Sequence, residues 1–149
     1  MNNIGDLYNI ELSSEYNRIL KFLKKTDEDY LPNTSTLVNS LEDYSMKLSK
    51  YANVYFISNK IEDIAMCAMY LNRKKAFITS LGVIEEYQSK GIASYLLRYI
   101  FNVVSEYKIN IIELEVYKEN KKAISLYEKN GFENIGQYGN RMSYEKKMR

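Results

Sequence analysis

The chain has 149 residues, 46% of them hydrophobic and 27% charged, with a formal charge of +2. This is the size and balance of one folded domain over residues 1–149, able to build its core without disulfides or metal. With no histidine and one cysteine, a Ser-His-Asp triad, histidine-based zinc sites and an internal disulfide are excluded, and the charge is too slight to indicate nucleic acid.

The start, residues 1–6, lacks the basic and apolar regions of a signal peptide, and no apolar run is long enough to span a membrane. A soluble, cytoplasmic protein without a membrane partner is therefore expected. Residues 6–12 read as a short strand. Ser13 or Ser14 can cap a helix in which Tyr16, Ile19, Leu20 and Leu23 recur at helical spacing. Pro32, the only proline, marks a break. Thr34 or Ser35 can cap a second helix with Leu37, Val38, Leu41, Tyr44 and Leu48 on one face.

The middle reads as an antiparallel meander over residues 51–58, 61–71 and 76–83, with turns at Asn59-Lys60 and Asn72-Arg73-Lys74-Lys75. Cys67 lies in the second of these strands. With no histidine to activate it, it reads as a small core residue rather than a nucleophile. Beyond Gly91 the period turns helical, with Ile92, Leu96, Tyr99, Ile100, Val103, Val104 and Tyr107 on one face. Residues 111–117 form a strand with apolar side chains on both faces near its start, which suits a sheet covered on both sides. A short helix over 120–130 ends at Gly131, a natural left-handed cap. Strands at 132–138 and 142–148 close the chain. Short basic runs at Lys24-Lys25, Arg73-Lys74-Lys75, Lys121-Lys122 and Lys146-Lys147 read as solvated surface.

The most informative stretch joins the third meander strand to the long helix: Leu81-Gly82-Val83-Ile84-Glu85-Glu86-Tyr87-Gln88-Ser89-Lys90-Gly91-Ile92-Ala93-Ser94. The first turn of a helix leaves backbone N–H groups without intrahelical partners, and these with the helix dipole attract an anion. Small residues at Gly91 and Ala93 let a phosphate come close. The second block is Asn120-Lys121-Lys122-Ala123-Ile124-Ser125-Leu126-Tyr127-Glu128-Lys129-Asn130-Gly131-Phe132. In the spacing Gln88-x-x-Gly91-x-Ala93 and Asn120-x-x-Ala123-x-x-Leu126-Tyr127-x-Lys129-x-Gly131-Phe132, the chain resembles the GNAT superfamily of N-acetyltransferases. The resemblance is specific from about Ala76 to Phe132; the acceptor side, in the first third, carries no diagnostic motif.

The resemblance implies an α/β fold (α+β in some schemes): a mixed sheet of six to seven strands, an antiparallel N-terminal meander, a parallel pair that splays at the cofactor, and helices on both faces. It implies acetyl-coenzyme A as cosubstrate and no metal. Leu81, Gly82 and Val83 should hold the pantetheine arm through backbone hydrogen bonds, with Gly82 permitting a bulge. The backbone of Gln88, Ser89, Lys90, Gly91, Ile92, Ala93 and Ser94 should cradle the pyrophosphate. Asn120 should hydrogen-bond the cofactor while also capping its helix, since a cap uses one side-chain oxygen.

Tyr127 should be the general acid that protonates the departing thiolate, because a phenol near pKa ~10 and a thiol near ~8.5 exchange a proton without large tuning. Glu115 resembles the glutamate suggested as base in ribosomal-protein alanine acetyltransferases. Its other reading is a strand glutamate that points to solvent or pairs with a lysine. Asp29, Tyr30, Thr79 and Ser80 are further candidates for the acceptor side. The implied reaction is acetyl transfer to a primary amine by direct attack, with a small amine metabolite favoured over a protein. A peptide N-terminus, or an acyl-coenzyme A sensor without turnover, is the alternative. A homodimer is expected only by analogy.

Overall fold

The computed structural model describes residues 8–27, 35, 38–72 and 74–148. Seven strands, β1 (Asn9–Leu12), β2 (Asn53–Ser58), β3 (Asp63–Leu71), β4 (Ala76–Val83), β5 (Ile111–Tyr117), β6 (Glu133–Tyr138) and β7 (Arg141–Lys147), form one sheet in the order β1-β2-β3-β4-β5-β7-β6. All neighbours are antiparallel except β4 and β5, which run parallel and are joined by the crossover helix α3 (Ile92–Glu106). Further helices among the described residues are α1 (Tyr16–Thr26), α2 (Leu41–Tyr51) and α4 (Lys121–Lys129).

The alternation of side chains along β2 divides the helices between the faces. Phe56 points to α1, where Phe22 meets it edge-on at 6.3 Å and the Arg18 guanidinium lies 4.3 Å from its ring centre. Arg18 also grips Asp63 through two hydrogen bonds of 2.8 Å, fixing α1 to the start of β3. Tyr55, one residue earlier and on the opposite face, meets Tyr99 of α3 at 5.7 Å. Ile64, Ala65, Met66, Cys67, Ala68 and Met69 of β3 are all buried, because this strand has helices over both faces. Cys67 is wholly enclosed, and burial pushes its thiol up to about 12, so it stays a neutral core residue.

Several boundaries differ from the sequence reading. Glu15, not Ser13 or Ser14, precedes α1; the Ser13 hydroxyl instead accepts the Glu15 N–H at 3.3 Å. The second described helix starts at Leu41, capped by Ser40, whose hydroxyl accepts the Asp43 N–H at 2.9 Å. Ser35 is instead engaged by the Asp27 carboxylate, and Thr34 and Leu37 lie outside the described residues. Tyr51 ends α2 rather than opening β2, since helix continuity from the Ser40 cap overrides its strand preference. Ile61 is 90% exposed in a turn where Asn59 Oδ1 accepts the N–H groups of Ile61 and Glu62, so β3 begins at Asp63. On α3 the buried set is Ile92, Leu96, Leu97, Ile100 and Val104; Tyr99 and Tyr107, expected with it, are exposed.

Gly131 ends α4 as expected, at φ 92°, a conformation that L side chains rarely adopt. A Cβ there would also sit 2.5 Å from Lys146 Nζ, which donates to the Asn130 carbonyl at 3.1 Å. Gly131→Ala is therefore expected to lower unfolding free energy by about 1–2 kcal/mol. Urea unfolding checks this, and an unchanged midpoint would show that the turn relaxes.

Candidate active site

The site begins where the sheet opens. β4 and β5 pair only through Ala76, Phe77 and Ile78 opposite Ile112, Glu113 and Leu114. Beyond that point β4 runs on beside β3 to Val83 and β5 beside β7 to Tyr117, so the two parallel strands part. A bulge lies at the fork. Ala68 faces Ser80 while Met69 faces Ile78, which leaves Thr79 as the extra residue. Gly82, expected to supply the bulge, pairs in regular register with Met66. The irregularity is held from α2 instead: the Tyr44 hydroxyl donates to the Thr79 carbonyl at 3.3 Å and shares a hydrogen bond with its hydroxyl at 3.0 Å.

A cleft of about 390 Å³ occupies the opening. Leu81, Gly82 and Val83 line it from β4. Gln88, Ser89 and Gly91 line it from the loop, and Ile92, Ala93 and Ser94 from the first turn of α3. The loop bends through two left-handed residues, Ser89 at φ 62° and Gly91 at φ 82°. Gly91 is the N-cap of α3 and offers no capping side chain. The first intrahelical bond of α3 runs from the Tyr95 N–H to the Gly91 carbonyl, so the N–H groups of Ile92, Ala93 and Ser94 precede the helical ladder. The helix dipole adds only about 0.3–1 kcal/mol toward an anion at an exposed site, so aimed N–H groups must supply most of any affinity.

α4 forms the facing wall through Asn120, Leu126 and Tyr127. Asn120 caps this helix, its Oδ1 accepting the Ala123 N–H at 3.1 Å, and the cap leaves its amide NH₂ uninvolved. Tyr127 is 8% exposed, its ring edge-on to Phe132 at 5.6 Å. Asn130 ties the two helices together, donating to the Ser94 hydroxyl at 3.0 Å and to the Leu126 carbonyl at 2.8 Å.

Four of the residues singled out from sequence, Lys90, Glu115, Thr79 and Ser80, stand apart from the cleft lining. The Lys90 ammonium lies 5.5 Å from the centre of the Tyr87 ring. Glu115 is the first residue of β5 beyond the paired stretch and faces the α2 side of the sheet. There its carboxylate meets Arg141 Nη1 at 3.3 Å. Thr79 and Ser80 lie at the fork as described, and Asp29 and Tyr30 fall outside the described residues.

The sequence reading missed Thr26, Tyr87, Lys122, Ser125 and Lys129, all of which line the cleft. Thr26 comes from the end of α1 and carries no local signal. Ser125 and Lys129 were inside the second motif block, and with Lys122 they recur at i, i+3 and i+7, which places the three on one stripe of the helix. The lining holds two lysines and no carboxylate, which makes the cleft electrically receptive to a polyanion. Among the described residues no group of acidic, cysteine or histidine side chains could hold a metal ion, and no helix is long and apolar enough to cross a membrane.

Comparison with known proteins bears on this geometry. The sequence model of the acetyltransferase (GNAT) family matches residues 20–132. Among curated relatives, an N-alpha-acetyltransferase of Saccharolobus solfataricus is 40% identical over 63 residues, and one of Sulfurisphaera tokodaii is 36% identical over 63 residues. Each match covers 42% of this chain and 38% of the relative, so the chain spans well under half the length of these proteins. Among solved structures, the PaiA N-acetyltransferase of Thermoplasma acidophilum in complex with coenzyme A superimposes with a TM-score of 0.81 at 18% identity, over 94% of this chain and 98% of that one. The ribosomal-protein-S18-alanine N-acetyltransferase of Escherichia coli gives 0.77 at 15% identity, over 95% and 94%. At such identities these structures establish the shared fold.

Proposed function

The chain belongs to the GNAT family of acetyltransferases, and from that premise we propose that it moves an acetyl group from acetyl-coenzyme A to a primary amine by direct attack in a ternary complex. The observation that carries the reading is the cleft itself: a fork between parallel strands, lined by lysines without carboxylates, with a helix N-terminus at one side and a buried tyrosine in its wall. These features fit coenzyme A, an elongated polyanion with a thioester at its far end. The backbone of Leu81, Gly82 and Val83 would bind the pantetheine arm as an added strand. The backbone of Gln88 to Ser94, Lys90 included, would hold the pyrophosphate, and the Asn120 amide would donate to the arm.

In this account Tyr127 donates its phenolic proton to the sulfur as the thiolate leaves. Glu115 receives the proton of the attacking amine, directly or through water. Its place at the opened edge of β5, on the face away from α3, lets an acceptor approach from the α2 side. A single domain over 1–149 and a cytoplasmic setting belong to the same proposal, since a lone cysteine suits a reducing compartment.

The acceptor we favour is a small amine metabolite. A second reading, the α-amino group of a polypeptide, is supported by the names of the archaeal relatives. Release of coenzyme A from acetyl-coenzyme A, measured with a pool of small amines and with a pool of peptides of varied N-termini, separates them. We expect stimulation by the small amines. Stimulation by peptides alone would transfer the proposal to the second reading. Silence with both, from a protein that binds acetyl-coenzyme A, would favour a sensor without turnover.

A further inference from the structure

We propose that Lys122 is a phosphate-binding residue of the cosubstrate site, held in waiting by Gln88 across the mouth of the cleft; this rests on the coenzyme A reading given above. The Lys121-Lys122 run reads from sequence as ordinary solvated surface, yet the fold places Lys122 in the cleft lining. Its ammonium donates to Gln88 Oε1 at 2.8 Å, and Gln88 Nε2 in turn donates to the Val83 carbonyl at 2.9 Å. A side-chain strap thus runs from α4, over the loop, to the end of β4.

Two further observations point to an anion. Lys121 and Lys122 sit in the first turn of α4, which holds no acidic residue. Cations at the positive end of a helix oppose its dipole. An unfavourable charge at that place is explained by an anionic ligand that relieves it. The lining of the cleft likewise offers Lys122 no carboxylate, only the neutral amide of Gln88. A phosphate oxygen is a stronger acceptor than an amide oxygen for an ammonium, because the charge-assisted bond is roughly twice as strong. The ammonium has three rotatable donors on a flexible stem, so a bound phosphate can draw it from Gln88. The phosphate is either one of the pyrophosphate or the 3′-phosphate of the nucleotide.

The test is calorimetric titration of the whole protein with coenzyme A and with 3′-dephospho-coenzyme A. Lys122→Met is expected to weaken coenzyme A binding by about tenfold, while Lys122→Arg keeps most of the affinity. The penalty should persist in a Gln88→Ala background, because the lysine then acts on the ligand and not through Gln88. The melting temperature of Lys122→Met should change little, since loss of the bond to Gln88 is set against removal of a charge that opposes the α4 dipole. If the penalty persists with dephospho-coenzyme A, the pyrophosphate is the partner; if it vanishes there, the 3′-phosphate is. An affinity within about twofold of the parent, a penalty that disappears with Gln88→Ala, or a markedly lowered melting temperature would each overturn the assignment. Failure of the parent protein to bind coenzyme A would instead remove the proposed function on which it rests.

Discussion

Tyr127→Phe is expected to lower the acetyl-transfer rate by roughly 10²–10⁴-fold, the usual contribution of a positioned general acid. The ring of Tyr127 is enclosed against Phe132, and its backbone carbonyl accepts the Phe132 N–H at 3.0 Å. A phenylalanine keeps those packing contacts and removes only the hydroxyl. Affinity for acetyl-coenzyme A should therefore stay within about threefold, so that the loss lies in kcat rather than in binding. Steady-state kinetics with a responsive acceptor, alongside calorimetry, separate the two quantities. Unchanged kcat would remove Tyr127 as the acid. A parallel loss of binding would make it a positioning group for the thioester instead.

The second large effect is expected at Gly91. Its φ of 82° and ψ of 5° place it in the left-handed region, where a β-branched residue is a steric outlier. Gly91→Val forces the loop to turn, and the N–H groups at the start of α3 move with it. A hydrogen bond to a charged group is worth about 1.5–3 kcal/mol, so losing one or two of them predicts an affinity loss of about a hundredfold for coenzyme A. The loop lies at the surface end of the cleft, so folding should survive, as a melting curve would show. Full affinity in a folded Gly91→Val protein would mean that this loop does not hold the phosphates.

Much of the cleft lining was legible because its information is local. The turn through Gln88 and Gly91, the amphipathic α3 and the Asn120-capped α4 each carry their signal within one short stretch, and the elements appear where the pattern places them. Relations between distant segments were not legible in the same way. The bulge at Thr79 depends on the register of β3 against β4 and on Tyr44 from α2, neither of which one strand encodes by itself. Lys122 looked like a solvated charge until the fold set it beside Gln88, 34 residues away in sequence. Tyr99 and Tyr107 matched the helical period yet remain exposed, since a tyrosine ring can lie along apolar surface with its polar end in water. Tyr51 shows the opposite error: an aromatic that favours a strand was carried into a helix by the Ser40 cap eleven residues before it.

The central claim is that acetyl-coenzyme A occupies the fork between β4 and β5 with its phosphates at the start of α3. Amide chemical-shift mapping of the ¹⁵N-labelled protein during titration with coenzyme A tests it most directly. The account predicts saturable shifts, largest at Gly82 and Val83 of β4, Ser89 and Gly91 of the loop, and Ile92 to Ser94 of α3, with smaller ones at Asn120 and Tyr127. Saturable shifts confined to another part of the sheet, or none at millimolar ligand, would contradict it.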